Sequence, residues 1–109
     1  MDTFEQQWKK VEDFLTARFE KTPNMEAILY LIGINEFGDL PRKFSKEQKQ
    51  DLMHVAVCKL LSQAGYFELE GYDMDGWPHF IAIKTVPADG LGEQEQLLKE
   101  QIIAYFNLP

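Results

Sequence analysis

Four stretches of this chain carry apolar residues over a helix length, and one stretch alternates apolar and polar, which orders the elements as α-α-α-β-β-α and predicts an α+β fold. The central helix is the clearest. It opens at Ser45-Lys46-Glu47-Gln48, a capping box in which the serine hydroxyl and the glutamine amide each satisfy a backbone N–H. Leu52, Met53, Ala56, Val57, Leu60 and Leu61 then recur at three- and four-residue spacing, with Gln48, Asp51, Lys59 and Ser62 opposite. Gly65 stops it, because glycine takes the left-handed conformation after a helix without steric cost.

The other helices follow the same logic. Asp2 or Thr3, with Glu5 or Gln6, caps a first helix whose apolar face is Phe4, Trp8, Val11, Leu15 and Phe19. Thr22 as N-cap and Pro23 at the first helical position start a second helix, running from about Pro23 to Phe37. Its residues are apolar on nearly every side, so it is buried in a bundle or at a subunit contact. Gly33 in its interior costs about 1 kcal/mol against alanine, which is most easily accepted where another backbone comes close. A last helix, from about Leu91 to Phe106, shows Leu98, Ile102, Tyr105 and Phe106 on one face. Three helices followed by a hairpin is the outline of a winged helix.

The hairpin runs from Tyr66 to Lys84 around Asp73-Met74-Asp75-Gly76, and its register can be argued. A two-residue Asp75-Gly76 turn would set Glu70 beside Ile81 and Glu68 beside Ile83, mixing carboxylates with aliphatics. A three-residue loop instead pairs Leu69 with Ile81, Phe67 with Ile83 and Asp73 with Trp77, with Glu68, Glu70 and Lys84 on the wet face. It also puts Gly76 at the left-handed position of a type I turn with a bulge. The second register is the expected one. In it Pro78 turns its missing N–H to solvent or to the bulge, and His79 lies opposite Gly71.

Size changes little in this picture: 109 residues make a single domain, 1–109, able to form a core without disulfides or a structural metal. Charge changes more. A net charge of −7 argues against broad nucleic-acid binding, which needs clustered cations to meet phosphates. Arg42, Lys43, Lys46 and Lys49 are the one local basic patch, at a helix start where positive charge opposes the dipole. Cys58 is the only cysteine, so no internal disulfide forms, and with no signal-peptide pattern the expected compartment is the cytoplasm. No apolar run reaches the roughly 20 residues of a membrane span.

Candidate chemistry concentrates around the central helix and the hairpin. His54 and Cys58 stand four apart on the helix, and His79 can fold back toward them, which would offer imidazole and thiolate to zinc or make Cys58 a nucleophile. Against this, no CxxC or HExxH motif is present, and mid-helix placement does little to lower a thiol pKa. Glu68, Glu70, Asp73 and Asp75 lack the remaining ligands of a calcium loop and read as a wet strand face and turn chemistry. No cofactor is implied. Tyr72, Pro78 and Phe80 fall on the outer face in the expected register, and with Tyr30 of the second helix they are the candidate interface.

The run Leu52-Met53-His54-Val55-Ala56-Val57-Cys58, continuing through Gly65-Tyr66 and Gly71-Tyr72-Asp73-Met74-Asp75-Gly76-Trp77-Pro78-His79-Phe80, resembles a family of small uncharacterised bacterial proteins. The resemblance spans about the C-terminal two thirds, implies a bacterial cytoplasmic protein, and brings no activity, ligand or functional residue with it. Three functional classes therefore stand. The first is a non-enzymatic protein-interaction domain, homodimeric or contacting another protein. The second is a winged-helix-like module touching nucleic acid through the basic patch, and the third is a metal or thiol site at His54, Cys58 and His79.

Overall fold

Both N-terminal caps form in the way their residue types dictate. Thr3 accepts from the Gln6 amide while the Gln6 side chain accepts from the Thr3 amide, opening α1 (Phe4–Phe19). Ser45 and Gln48 make the same reciprocal pair at the start of α3 (Lys46–Gln63). Between them lies α2 (Met25–Phe37), and after α3 come β1 (Phe67–Tyr72), β2 (Pro78–Ala82) and α4 (Leu91–Phe106). The computed structural model describes residues 2–38, 43–87 and 90–109. The fold is α+β: three helices, a two-stranded antiparallel hairpin and a C-terminal helix.

The chain divides into two compact units, Met1–Asn24 with Pro87–Pro109 and Met25–Val86. In the first, α1 packs on α4. Phe14 meets Phe106 at 6.0 Å between ring centroids, and the Lys99 ammonium lies over the Trp8 ring at 5.1 Å. Val11 and Leu15 are buried as the helical spacing requires, and so is Ile102 of α4. Phe19, expected on the apolar face, is instead exposed at the last position of α1, where Glu20 turns left-handed and donates its N–H to the Thr16 carbonyl.

The second unit is built on α3. It packs against α2 on one side and against the hairpin on the other, so its buried residues, Leu52, Val55, Ala56, Cys58, Leu60 and Leu61, spread beyond a single stripe. Helix α2 starts at Met25, two residues later than Pro23 would place it. The Thr22 hydroxyl, expected to cap it, shares a hydrogen bond with that of Thr16 at 3.0 Å. An aromatic series, Tyr30 on Phe44, Phe44 on Phe37, and Phe37 stacked on Trp77 at 4.5 Å, links α2 to the loop before α3 and to the hairpin turn. Phe44 itself is buried.

The hairpin combines two registers. Near the turn it follows the three-residue loop: Asp73 N–H donates to the Trp77 carbonyl, Tyr72 lies opposite Pro78, and Gly71 lies opposite His79. Gly76 takes φ 87°, as its place in the turn demands. Between Leu69 and Gly71 a bulge then shifts β1 by one residue, so Leu69 pairs with Phe80, Glu68 with Ile81 and Phe67 with Ala82. The expected pairings of Leu69 with Ile81 and Phe67 with Ile83 do not form. The cause is the extra residue, Glu70, which lets the turn keep its geometry while the far half of the hairpin takes a register that neither turn alone would give. Pro78 behaves as expected: Trp77 and Ile83 both turn their backbone groups toward β1, so by alternation the nitrogen of Pro78 faces away from it.

Helices α2 and α3 meet at Gly33. A Cβ placed on Gly33 would stand 2.1 Å from the Leu52 carbonyl oxygen and 2.6 Å from its carbon, so no side chain fits without separating the helices. Gly33→Ala is expected to destabilise the protein by about 1–3 kcal/mol, the usual range for overpacking, even though alanine is the better helix former. Urea unfolding checks this. A variant as stable as the parent would mean that the two helices slide apart freely.

Candidate functional site

A groove of about 370 Å³ lies between α3 and the hairpin, lined by Asp51, His54, Val55 and Cys58 from the helix and by Asp73, Trp77, Pro78, His79 and Phe80 from the hairpin. The fold thus brings the three residues singled out for metal or thiol chemistry to one place. Helical spacing sets His54 one turn before Cys58, with Nε2 3.5 Å from Sγ. The register near the turn delivers His79 through its pairing with Gly71.

Sharing a groove does not make these residues a metal centre. Among the described residues, no group of three or more His, Cys, Asp or Glu side chains is arranged to hold a metal ion. His79 is already engaged, its Nε2 2.9 Å from Asp73 Oδ2. Cys58 is buried, and that burial pushes the thiol pKa up, away from the thiolate that zinc binding or nucleophilic attack requires. Its partner His54 is an exposed imidazole that offers one weak contact to sulfur.

Asp73 has a clear local task. Its Oδ1 accepts from the amides of Asp75 and Trp77, each at 2.9 Å, while Oδ2 meets His79. One carboxylate therefore organises the turn and binds the first part of β2 to it. The His79 side chain, then the Trp77 amide, hold the Asp73 carboxyl below its ordinary pKa. Of the acidic set, Asp73 and Asp75 belong to the turn, while Glu68 and Glu70 are exposed on β1.

The candidate interface residues sit differently from their expected positions. Pro78 is buried and Phe80 half-buried, both against the groove, so they are not on an outer face. The reason is the alternation of β2: the side toward α3 takes Pro78 and Phe80, which leaves Ile81, and Ile83 just beyond the strand, turned outward. Tyr72 is exposed as expected. Tyr30 is half-buried, edge-on to Phe44, with the Lys49 ammonium 5.9 Å from its ring centroid. Of the basic patch, Lys43, Lys46 and Lys49 are exposed, and Arg42 lies outside the described residues.

Sequence reasoning missed the residues that make the surface apolar. Leu69, Ile81 and Ile83 remain 44%, 43% and 51% exposed. Their alternation with Glu68, Glu70 and Lys84 was visible, but the bulge sets Leu69 beside Phe80 and Glu68 beside Ile81, so the aliphatics do not share one face. No helix among the described residues is long and apolar enough to cross a membrane. Comparison with protein-family models, with curated proteins and with solved structures finds no match to the chain.

Two outcomes follow from this geometry. Cys58 in the folded protein is expected to react with a thiol reagent at neutral pH far more slowly than in the urea-unfolded chain, and equal rates would show the thiol to be open and activated. For Asp73, whose folded pKa is lowered, the stabilisation is complete above the unfolded value of about 4 and is lost as pH falls through the folded one. Stability measured by denaturant from neutral to acid pH should therefore fall less steeply for Asp73→Asn than for the parent in that acid window. Parallel curves would remove Asp73 from the account.

Proposed function

We propose that this chain is a non-enzymatic protein-contact domain that associates with a second copy of itself through its hairpin. The observation that carries the reading is the outward side of β2, where Ile81 and Ile83 are about half exposed on a sheet of only two strands. A hairpin of this size is marginal in water, and α3 supports one of its sides. Aliphatic side chains on the other side gain by leaving water, at about 25 cal/mol per Å² of apolar surface removed. Tyr72 and Leu69 are exposed as well, but as the cross-strand partners of Pro78 and Phe80 they lie on the other face of the hairpin and add nothing to this patch.

The groove supports a structural role better than a catalytic one. Asp73 is committed to the turn and to His79, and the Cys58 thiol is kept protonated by burial. Neither is poised as a base or nucleophile.

Light scattering across a concentration series tests the contact. The expected mass is that of a dimer, and Ile83→Glu is expected to weaken association at least about tenfold, roughly 1.4 kcal/mol, with an unchanged circular dichroism spectrum. A parent chain that stays monomeric at every concentration would sink the reading.

A further inference from the structure

The geometry points to one mode for this contact: antiparallel pairing of β2 with β2 of a second copy, centred on Ile81, to give a four-stranded sheet. This inference rests on the protein-contact reading above and deepens it. In β2 the odd-numbered residues direct their N–H and C=O toward β1, as the bonds at Trp77 and Ile83 show, so Phe80 and Ala82 direct theirs to the other edge. Among the described residues, no backbone partner meets them there.

The two edges of the hairpin are not equivalent. β1 is broken by the bulge at Glu70 and carries Glu68 and Glu70, both devices that discourage a further strand. β2, Pro-His-Phe-Ile-Ala, has no bulge and no Asp, Glu, Lys or Arg. In a chain of net charge −7, a strand free of carboxylates is where a second, equally acidic copy meets least repulsion.

The register follows from Pro78. Centring the two-fold axis on Phe80 would set Pro78 opposite Ala82 of the second copy and leave that carbonyl without a donor, because proline has no N–H. With the axis at Ile81, Phe80 and Ala82 pair reciprocally across it, and all four of their N–H groups in the two copies find carbonyls. The side chains agree. Ile81 then faces Ile81 of the second copy in a non-hydrogen-bonded pair, and His79 faces Ile83, so the outward aliphatics of both copies form one row.

A non-hydrogen-bonded antiparallel pair holds its Cα atoms about 4.5 Å apart, within the span a disulfide bridges. Ile81→Cys in a Cys58→Ala background is therefore expected to become a disulfide-linked dimer under mild oxidation. Glu68→Cys, on the neighbouring strand of the same hairpin, should stay unlinked. In the parent chain the amides of Phe80 and Ala82 should exchange with deuterium about tenfold more slowly as concentration rises through the association range. A dimer without the Ile81→Cys link, or with those two amides still in fast exchange, would overturn strand pairing while leaving contact through the hairpin standing. A monomer at all concentrations would overturn both.

Discussion

The Met25–Val86 unit depends on the approach of α3 to the bare backbone of Gly33. Because that glycine has no Cβ, the Leu52 carbonyl can lie where a side chain would otherwise be, and the two helices close to backbone contact. Leu52 and Ile32 are then completely buried, and Ile28, Ala56 and Leu60 nearly or fully so. A helix gripped this closely along one side is a fixed platform. The opposite side of α3, with Val55 and Cys58, is what the hairpin rests on, and the groove between them takes its width from that packing.

Much of this was legible in the residues because it is local. The two capping boxes need only an oxygen and an amide three positions apart, and both form. Gly33 announced a close approach because glycine inside a helix is unfavourable unless something requires it. Where tertiary packing decides, the residues spoke less clearly. Phe14 and Phe19 are both aromatic residues of α1, yet Phe14 meets Phe106 while Phe19, at the helix end, is left in water. Phe44 stands alone in a loop without any periodic pattern, and its burial between Tyr30 and Phe37 follows only once α2 and α3 are assembled.

The hairpin register shows a competition between local and nonlocal terms. Asp73 and Gly76 specify a three-residue loop through bonds that span at most four positions. Carried through the whole hairpin, that loop would set Leu69 beside Ile81. The bulge at Glu70 separates the two demands, so the turn keeps its hydrogen bonds while Leu69 pairs with Phe80 instead. The alternation rule assumes one register per strand, and a single extra residue voids it. Convergence of His54, Cys58 and His79 on one groove was within reach of sequence reasoning, since helical spacing and the turn-proximal register supply it. Whether the thiol would be activated was not, because that depends on burial.

Glu68 and Ile81 are cross-strand partners, an arrangement that places a carboxylate beside an aliphatic on one sheet face. Glu68 can reach water from there, but Ile81 gains nothing from it, and Ile83, just beyond the strand, is turned to the same side. An acidic chain that leaves two aliphatics on an uncharged strand has put its least hydrated side chains next to its least repulsive backbone edge. Desolvating that edge strands no buried charge, which is the usual large cost of burying part of an acidic surface. The carboxylates of β1 remain one strand away, in solvent, where screening limits their mutual repulsion to little.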